Sequence, residues 1–187
     1  MINDPITVAT AAEISDAEAL DRTRSGDGDA FAVVVRRYER PMRAYLRRML
    51  DDPELAADTL QETFLELYKA VCADGPLPSL PGWLYRAATN NAIDATRRRK
   101  FRLRLREMVL RAQPASRDPA AETVDRLAVR AALRRLSPDD RACVLLSAQM
   151  GLDYHDIART LGIGEAAARQ RVTRAKARFR RQYEQER

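Results

Sequence analysis

A chain of 187 residues holds one ordinary domain or two small ones, which argues against a single large enzymatic core. Only seven glycines are present, strictly alternating Val/Ile/Thr/Phe runs are missing, and Ala, Leu, Arg and Glu dominate at helical spacing, so an all-α protein is expected. The net charge of +6 suits a polyanionic partner, and its distribution is uneven. Acids gather at the N-terminus (Asp4, Glu13, Asp16, Glu18, Asp21, Asp27, Asp29), while bases cluster at Arg97 to Arg106 and Arg169 to Arg181. Two basic stripes point to two nucleic-acid contacts.

Cys72 and Cys143 each fall on an apolar position of a helical pattern, which predicts inert core packing and excludes a disulfide framework or a CxxC zinc site. No basic segment followed by an apolar stretch opens the chain, and no run of about 18 apolar residues occurs anywhere. A cytoplasmic protein without membrane insertion is therefore expected.

In chain order, Ser15-Asp16-Ala17-Glu18 has capping-box spacing and starts a short helix. A long pattern begins at Asp29 and runs through Phe31, Val34, Val35, Tyr38, Met42, Tyr45, Leu46 and Leu50, with Pro41 expected to kink or split it. Asp51-Asp52-Pro53 resets the chain for a third helix, lined by Leu55, Leu60, Phe64, Leu65 and Tyr68 and fading near Cys72. After a Gly/Pro-rich loop, Pro81 suits the first turn of a fourth helix that ends in the tract Arg97-Arg98-Arg99-Lys100.

The stretch Gln113 to Ala121 carries two prolines and no apolar period, which marks a linker. The chain thus divides into an N-terminal extension (1–24), a first helical domain (25–107), a flexible linker (108–124) and a second helical domain (125–187). In the second domain Leu127 to Leu136 form a helix, and Ser137-Pro138 give the N-cap and N1 proline of the next, which Gly151 ends.

The most specific local signal follows. In Asp153 to Gly164, Ile157 and Leu161 face inward, Ala158 allows close helix packing and Gly162 permits a tight turn, the pattern of a helix-turn-helix. The second helix of that unit buries Ala168, Val172, Ala175 and Phe179, which leaves Arg169, Gln170, Arg171, Arg174 and Lys176 for phosphates or base edges. A catalytic site is not expected: the single His155, scattered acids and two cysteines offer neither a nucleophile–base pairing nor metal spacing, and no cofactor is implied.

The first domain narrows the choice among helix-turn-helix proteins. Ala57-Asp58-Thr59-Leu60-Gln61-Glu62-Thr63-Phe64-Leu65 resembles the region 2.2 helix of extracytoplasmic-function sigma factors, group 4 of the sigma-70 family. Trp83 to Arg98 looks like regions 2.3 and 2.4, Phe31 to Leu50 resembles regions 1.2 and 2.1, and Leu133 to Arg178 is similar to region 4. The resemblance implies a chain that directs core RNA polymerase to specific promoters. Asp58, Gln61, Glu62 and Phe64 would meet the beta-prime clamp helices, and the beta flap would be a further polymerase contact. Trp83, Tyr85, Asn90, Asn91, Arg97 and Arg98 would meet the minus-10 element, with Asn90 lining a pocket for a flipped base, and Arg169, Gln170, Arg171, Arg174 and Lys176 the minus-35 element. It also implies an anti-sigma partner. Gly164, Ala166 and Ala167 replace the Ser, Gly and Thr frequent in the family's reading helix, so the minus-35 sequence does not carry over. The alternative is a stand-alone helix-turn-helix regulator, which predicts tight DNA binding without polymerase.

Overall fold

The computed structural model describes residues 14–73, 75, 77, 79–109 and 124–186, which form eight helices and no strand. The acidic stretch before residue 14 and the linker from 113 to 121 lie outside the described residues, as do the side chains of 103–109 in the basic tract. Most helix starts are fixed by one short polar side chain. Ser15 accepts from the Glu18 N–H at 3.1 Å to open α1 (Asp16–Arg24), and Asp27 accepts from that of Ala30 at 3.1 Å to open α2 (Gly28–Leu50). Asp52 accepts from Glu54 and Leu55, both at 3.1 Å, to open α3 (Pro53–Cys72). Ser79 accepts from Gly82 at 3.2 Å at the head of α4 (Leu80–Val109), whose first turn holds Pro81.

α2 runs through Pro41 as one helix rather than splitting there. Proline costs a helix interior about 3 kcal/mol, but Met42, Tyr45, Leu46 and Met49 beyond it are buried, each contributing roughly 1.5–3 kcal/mol. Pro41 itself is exposed. α4 likewise continues past the Arg97–Lys100 tract to Val109, because Phe101 to Val109 contains no Gly or Pro and is rich in Arg, Leu, Glu and Met.

α1 to α4 pack around Tyr45. Its ring stands edge-on to that of Tyr85 at 5.3 Å between centroids, and its hydroxyl lies 2.7 Å from Thr89 Oγ1. Since Thr89 Oγ1 donates to the Tyr85 carbonyl at 2.6 Å, Tyr45 is the donor of the pair. Burial pushes the Tyr45 and Tyr85 phenols upward, so both stay neutral.

The second unit comprises α5 (Val124–Arg134), α6 (Pro138–Ala148), α7 (Tyr154–Leu161) and α8 (Glu165–Glu186), with α8 packed on the other three. Ser137 and Asp153 cap α6 and α7, accepting at 3.2 and 2.8 Å. Gly162 closes α7 with φ 65°, a left-handed conformation that glycine adopts without steric cost. Ile157, Ala158, Ala168, Val172 and Ala175 are buried as the helical period requires. α6 stops at Ala148, and Gly151 (φ 64°) turns the chain just after it. The two units touch: α7 packs on α4, α6 on α2 and α4, and α5 on α2. Cys143 is buried as its position predicts, but Cys72 is exposed, because in the last turn of α3 the inward position is taken by Val71, which is fully buried.

Candidate functional site

Three surfaces gather the residues that the sequence singles out. The first is on α3. Asp58, Gln61 and Glu62 are exposed, and with Leu65 they follow i, i+3, i+4, i+7 spacing along one face. Leu65 is 60% exposed, unusual for a leucine, and the row borders a shallow cleft of about 400 Å³ that Glu66 and Lys69 complete. Phe64 is not on this face. It is 8% exposed and belongs to the core, so the apolar contact available here is its neighbour Leu65. Tyr68 extends the row, its ring edge-on to Phe31 at 5.1 Å.

The second surface is on α4. Asn90, Arg97 and Arg98 are exposed. Arg97 pairs with Asp94 at 3.2 Å and Arg98 with Glu62 at 3.7 Å, while Arg99 pairs with Asp52 at 3.2 Å; all three are surface pairs of small energetic weight. Asn91 is tied inward, donating to Glu66 Oε2 at 3.2 Å and to Thr63 Oγ1 at 3.4 Å, which cross-links α4 to α3. Trp83 packs partly buried against the core. Tyr85, 7% exposed, is built into the core against Tyr45, so its ring is not offered to a base in this packing.

The third surface is the helix-turn-helix. Gln170, Arg174 and Lys176 are exposed along α8. Arg169 lies over the Tyr154 ring at 5.1 Å and 3.7 Å from Glu165, so it is held at the junction of α7 and α8. Arg171 points elsewhere. It pairs with Asp139 at 3.3 Å and with Asp140 at 3.5 Å, and Arg178 pairs with Asp140 at 2.5 Å. Asp140 is only 5% exposed, so it forms a buried anchor that joins the start of α6 to the middle of α8. Sequence reasoning missed this anchor. The acids at the start of α6 read as ordinary first-turn acids, and nothing local links them to arginines more than 30 positions on. Beside the anchor a groove of about 510 Å³ is lined by Arg135, Arg174 and Arg178 together with Ile163 and Ala167.

Among the described residues no three His, Cys, Asp or Glu side chains come together as a metal site, and no helix is long and apolar enough to cross a membrane. The assembly is a helical unit with an exposed acidic and polar row, joined to a helix-turn-helix with exposed bases, the architecture of a helix-turn-helix DNA-binding protein with a further helical unit. The family model Sigma-70 region 2 matches residues 34–102, and Sigma-70, region 4 matches residues 126–179. The ECF RNA polymerase sigma factor SigM of Mycobacterium tuberculosis is 31% identical over 90% of this chain and 85% of its own. RNA polymerase sigma factor CarQ of Myxococcus xanthus is 32% identical over 86% of this chain and 93% of its own.

Among solved structures, the sigma factor RpoE of Bartonella quintana, in complex with the anti-sigma factor NepR, shares the fold. Its TM-score is 0.67 at 22% identity, over 84% of this chain and 98% of that one. CnrH in complex with the cytosolic domain of CnrY gives 0.62 at 23% identity, over 86% and 92%. The chain belongs to the extracytoplasmic-function RNA polymerase sigma factors of the sigma-70 family. Promoter-specific initiation of transcription with RNA polymerase is that family's function.

Proposed function

We propose that this chain carries out its family's task through a division of labour among the three surfaces. The α3 row Asp58, Gln61, Glu62 and Leu65 docks on core RNA polymerase; the α4 face with Asn90, Arg97 and Arg98 receives the minus-10 element; Gln170, Arg174, Lys176 and Arg169 of the helix-turn-helix meet the minus-35 element. Phe64, Tyr85, Asn91 and Arg171 act indirectly, by holding these faces in shape. The carrying observation is the α3 row: three exposed polar side chains around an exposed leucine give a small apolar contact ringed by hydrogen-bonding groups.

The chemistry of the other faces supports the reading. Arg97 and Arg98 have only exposed, weak ion pairs to give up when they meet phosphates. Exposed Asn90 offers both donor and acceptor to the edge of an unstacked base, and such extrusion costs a few kcal/mol that the pocket must offset. The chain then works where polymerase and promoter are, in the cytoplasm, without catalysis of its own. An anti-sigma protein, the kind of partner seen with the Bartonella sigma factor, would restrain it by covering these faces.

The test is binding to core RNA polymerase free of other sigma factors. The parent chain is expected to bind stoichiometrically, and Asp58→Arg combined with Gln61→Ala to lose binding while its helical circular dichroism is unchanged. Polymerase affinity retained by the double variant would remove α3 as the docking face.

A further inference from the structure

We propose that Phe101 is a base-reading residue: its ring enters the major groove of the duplex flanking the minus-10 element and packs on the 5-methyl group of a thymine. The inference deepens the reading of α4 as the minus-10 face and rests on it.

Phe101 is 65% exposed, the most exposed of the chain's four phenylalanines. Phe64 belongs to the core, and Phe31 and Phe179 are partly buried against it. The other exposed aromatic rings have partners: Tyr68 meets Phe31, and Tyr154 lies under Arg169. Among the described residues no ring or guanidinium lies against Phe101. Single apolar side chains on a surface are ordinary, but the position of this one on α4 is not.

Helical spacing sets Asn90, Asp94, Arg97 and Phe101 in one row, each three or four residues after the last. Arg99 is on the opposite side of the helix, where it pairs with Asp52 at the head of α3 at 3.2 Å, so the row faces away from the bundle. The charge of Asp94 is met within the row by Arg97 at 3.2 Å. Lys100 and Arg102, both exposed, stand about 100° to either side of the ring.

An α-helix with its side chains is about 10–12 Å across and fits the major groove, which is about 12 Å wide. Seated there, the row points at the groove floor, and Lys100 and Arg102 point at the phosphates of its two walls. A phenyl ring on that floor has one apolar group to meet, the thymine methyl; the remaining base edges are donors and acceptors that the ring would leave unpaired. Eleven residues separate Asn90 from Phe101, about 17 Å along a helix and no more than about five base-pair steps. The thymine therefore lies within about five base pairs of the base held at Asn90.

The test uses the chain in complex with bacterial core RNA polymerase. Promoters are selected by the complex from a duplex library of random sequence, and the opened base is located by 2-aminopurine fluorescence. Each thymine of either strand in that interval is then replaced by uracil, which removes the methyl and keeps the base pair. One replacement should weaken binding by the parent complex about fourfold, the equivalent of one buried methyl group. Phe101→Ala should bind the thymine and uracil forms equally. Its urea midpoint and its salt dependence should match the parent's, because the ring is exposed and no charge is removed.

A selected promoter without thymine in the interval, or a methyl effect that survives in Phe101→Ala, would overturn the assignment. A parent that binds no polymerase defeats the proposed function itself. A parent that binds polymerase and promoter but responds to no uracil defeats the thymine contact alone.

Discussion

The arginines of α4 and those of α8 look alike in sequence but are held differently in the fold. Arg97, Arg98 and Arg99 have only surface acids as partners, and solvent can replace those at little cost. On α8, Arg171 and Arg178 are bound to the buried Asp140, while Arg174 and Lys176 between them stay exposed. One basic helix therefore carries both structural and available cations, and phase alone does not separate them, since Arg174 lies one turn from both Arg171 and Arg178. Charge density alone does not identify a nucleic-acid contact; what the charge already neutralises has to be known too.

The largest test of this difference is Asp140→Ala. It leaves Arg171 and Arg178 without their buried carboxylate and should destabilise α5–α8 by about 3 kcal/mol, the low end for breaking a buried pair because both arginines can partly rehydrate. Urea unfolding of the variant checks it, and an unchanged midpoint would mean that the anchor is inert. Next is Arg174→Ala, expected to cost about 1–3 kcal/mol of promoter affinity with the polymerase complex while leaving the urea midpoint in place. Arg171→Ala should behave the opposite way, moving the midpoint first.

Arg97→Ala with Arg98→Ala should change stability by less than about 1 kcal/mol, and should lower the salt dependence of promoter binding by roughly 0.7–0.9 for each phosphate that these arginines neutralise. A salt slope equal to the parent's would exclude phosphate contact. The smallest effect concerns Cys143, whose thiol burial pushes up from 9.0 to about 11. The folded chain keeps this proton where the unfolded chain has lost it, so the stabilisation is complete below pH 9 and fades between pH 9 and about 11. Cys143→Ala should remove that part of the alkaline decline. The buried phenols of Tyr45 and Tyr85 add a decline from about pH 10 upward in both proteins.

The helix-turn-helix was legible because its determinants are local. The Asp153 cap acts three residues ahead, Gly162 supplies the left-handed turn, and Ile157, Ala168, Val172 and Ala175 follow the helical period. Helix starts at Ser15 and Ser137 were legible for the same reason. Helix phase was harder. α3 carries Leu60, Phe64, Leu65, Leu67 and Tyr68, apolar on more than one side, so only packing decides that Phe64 turns in and Leu65 out. The same holds for Tyr85, whose burial depends on Tyr45 forty positions earlier. Least legible were the charge pairs across long separations. Asp51 meets Arg130 at a distance of 79 residues, and in sequence it reads only as part of a turn before Pro53.

The buried side chains of the two units form one continuous cluster, running from Ala19 and Leu20 in α1 to Val172 and Ala175 in α8. Two small domains joined only by a covalent tether would melt separately, each at its own temperature. A shared interior should make the chain a single cooperative unit, with calorimetric and van't Hoff enthalpies expected to agree. Thermal denaturation thus reads out how tightly the halves are coupled: one heat-absorption peak for the intact chain, and two where their common interior has been divided.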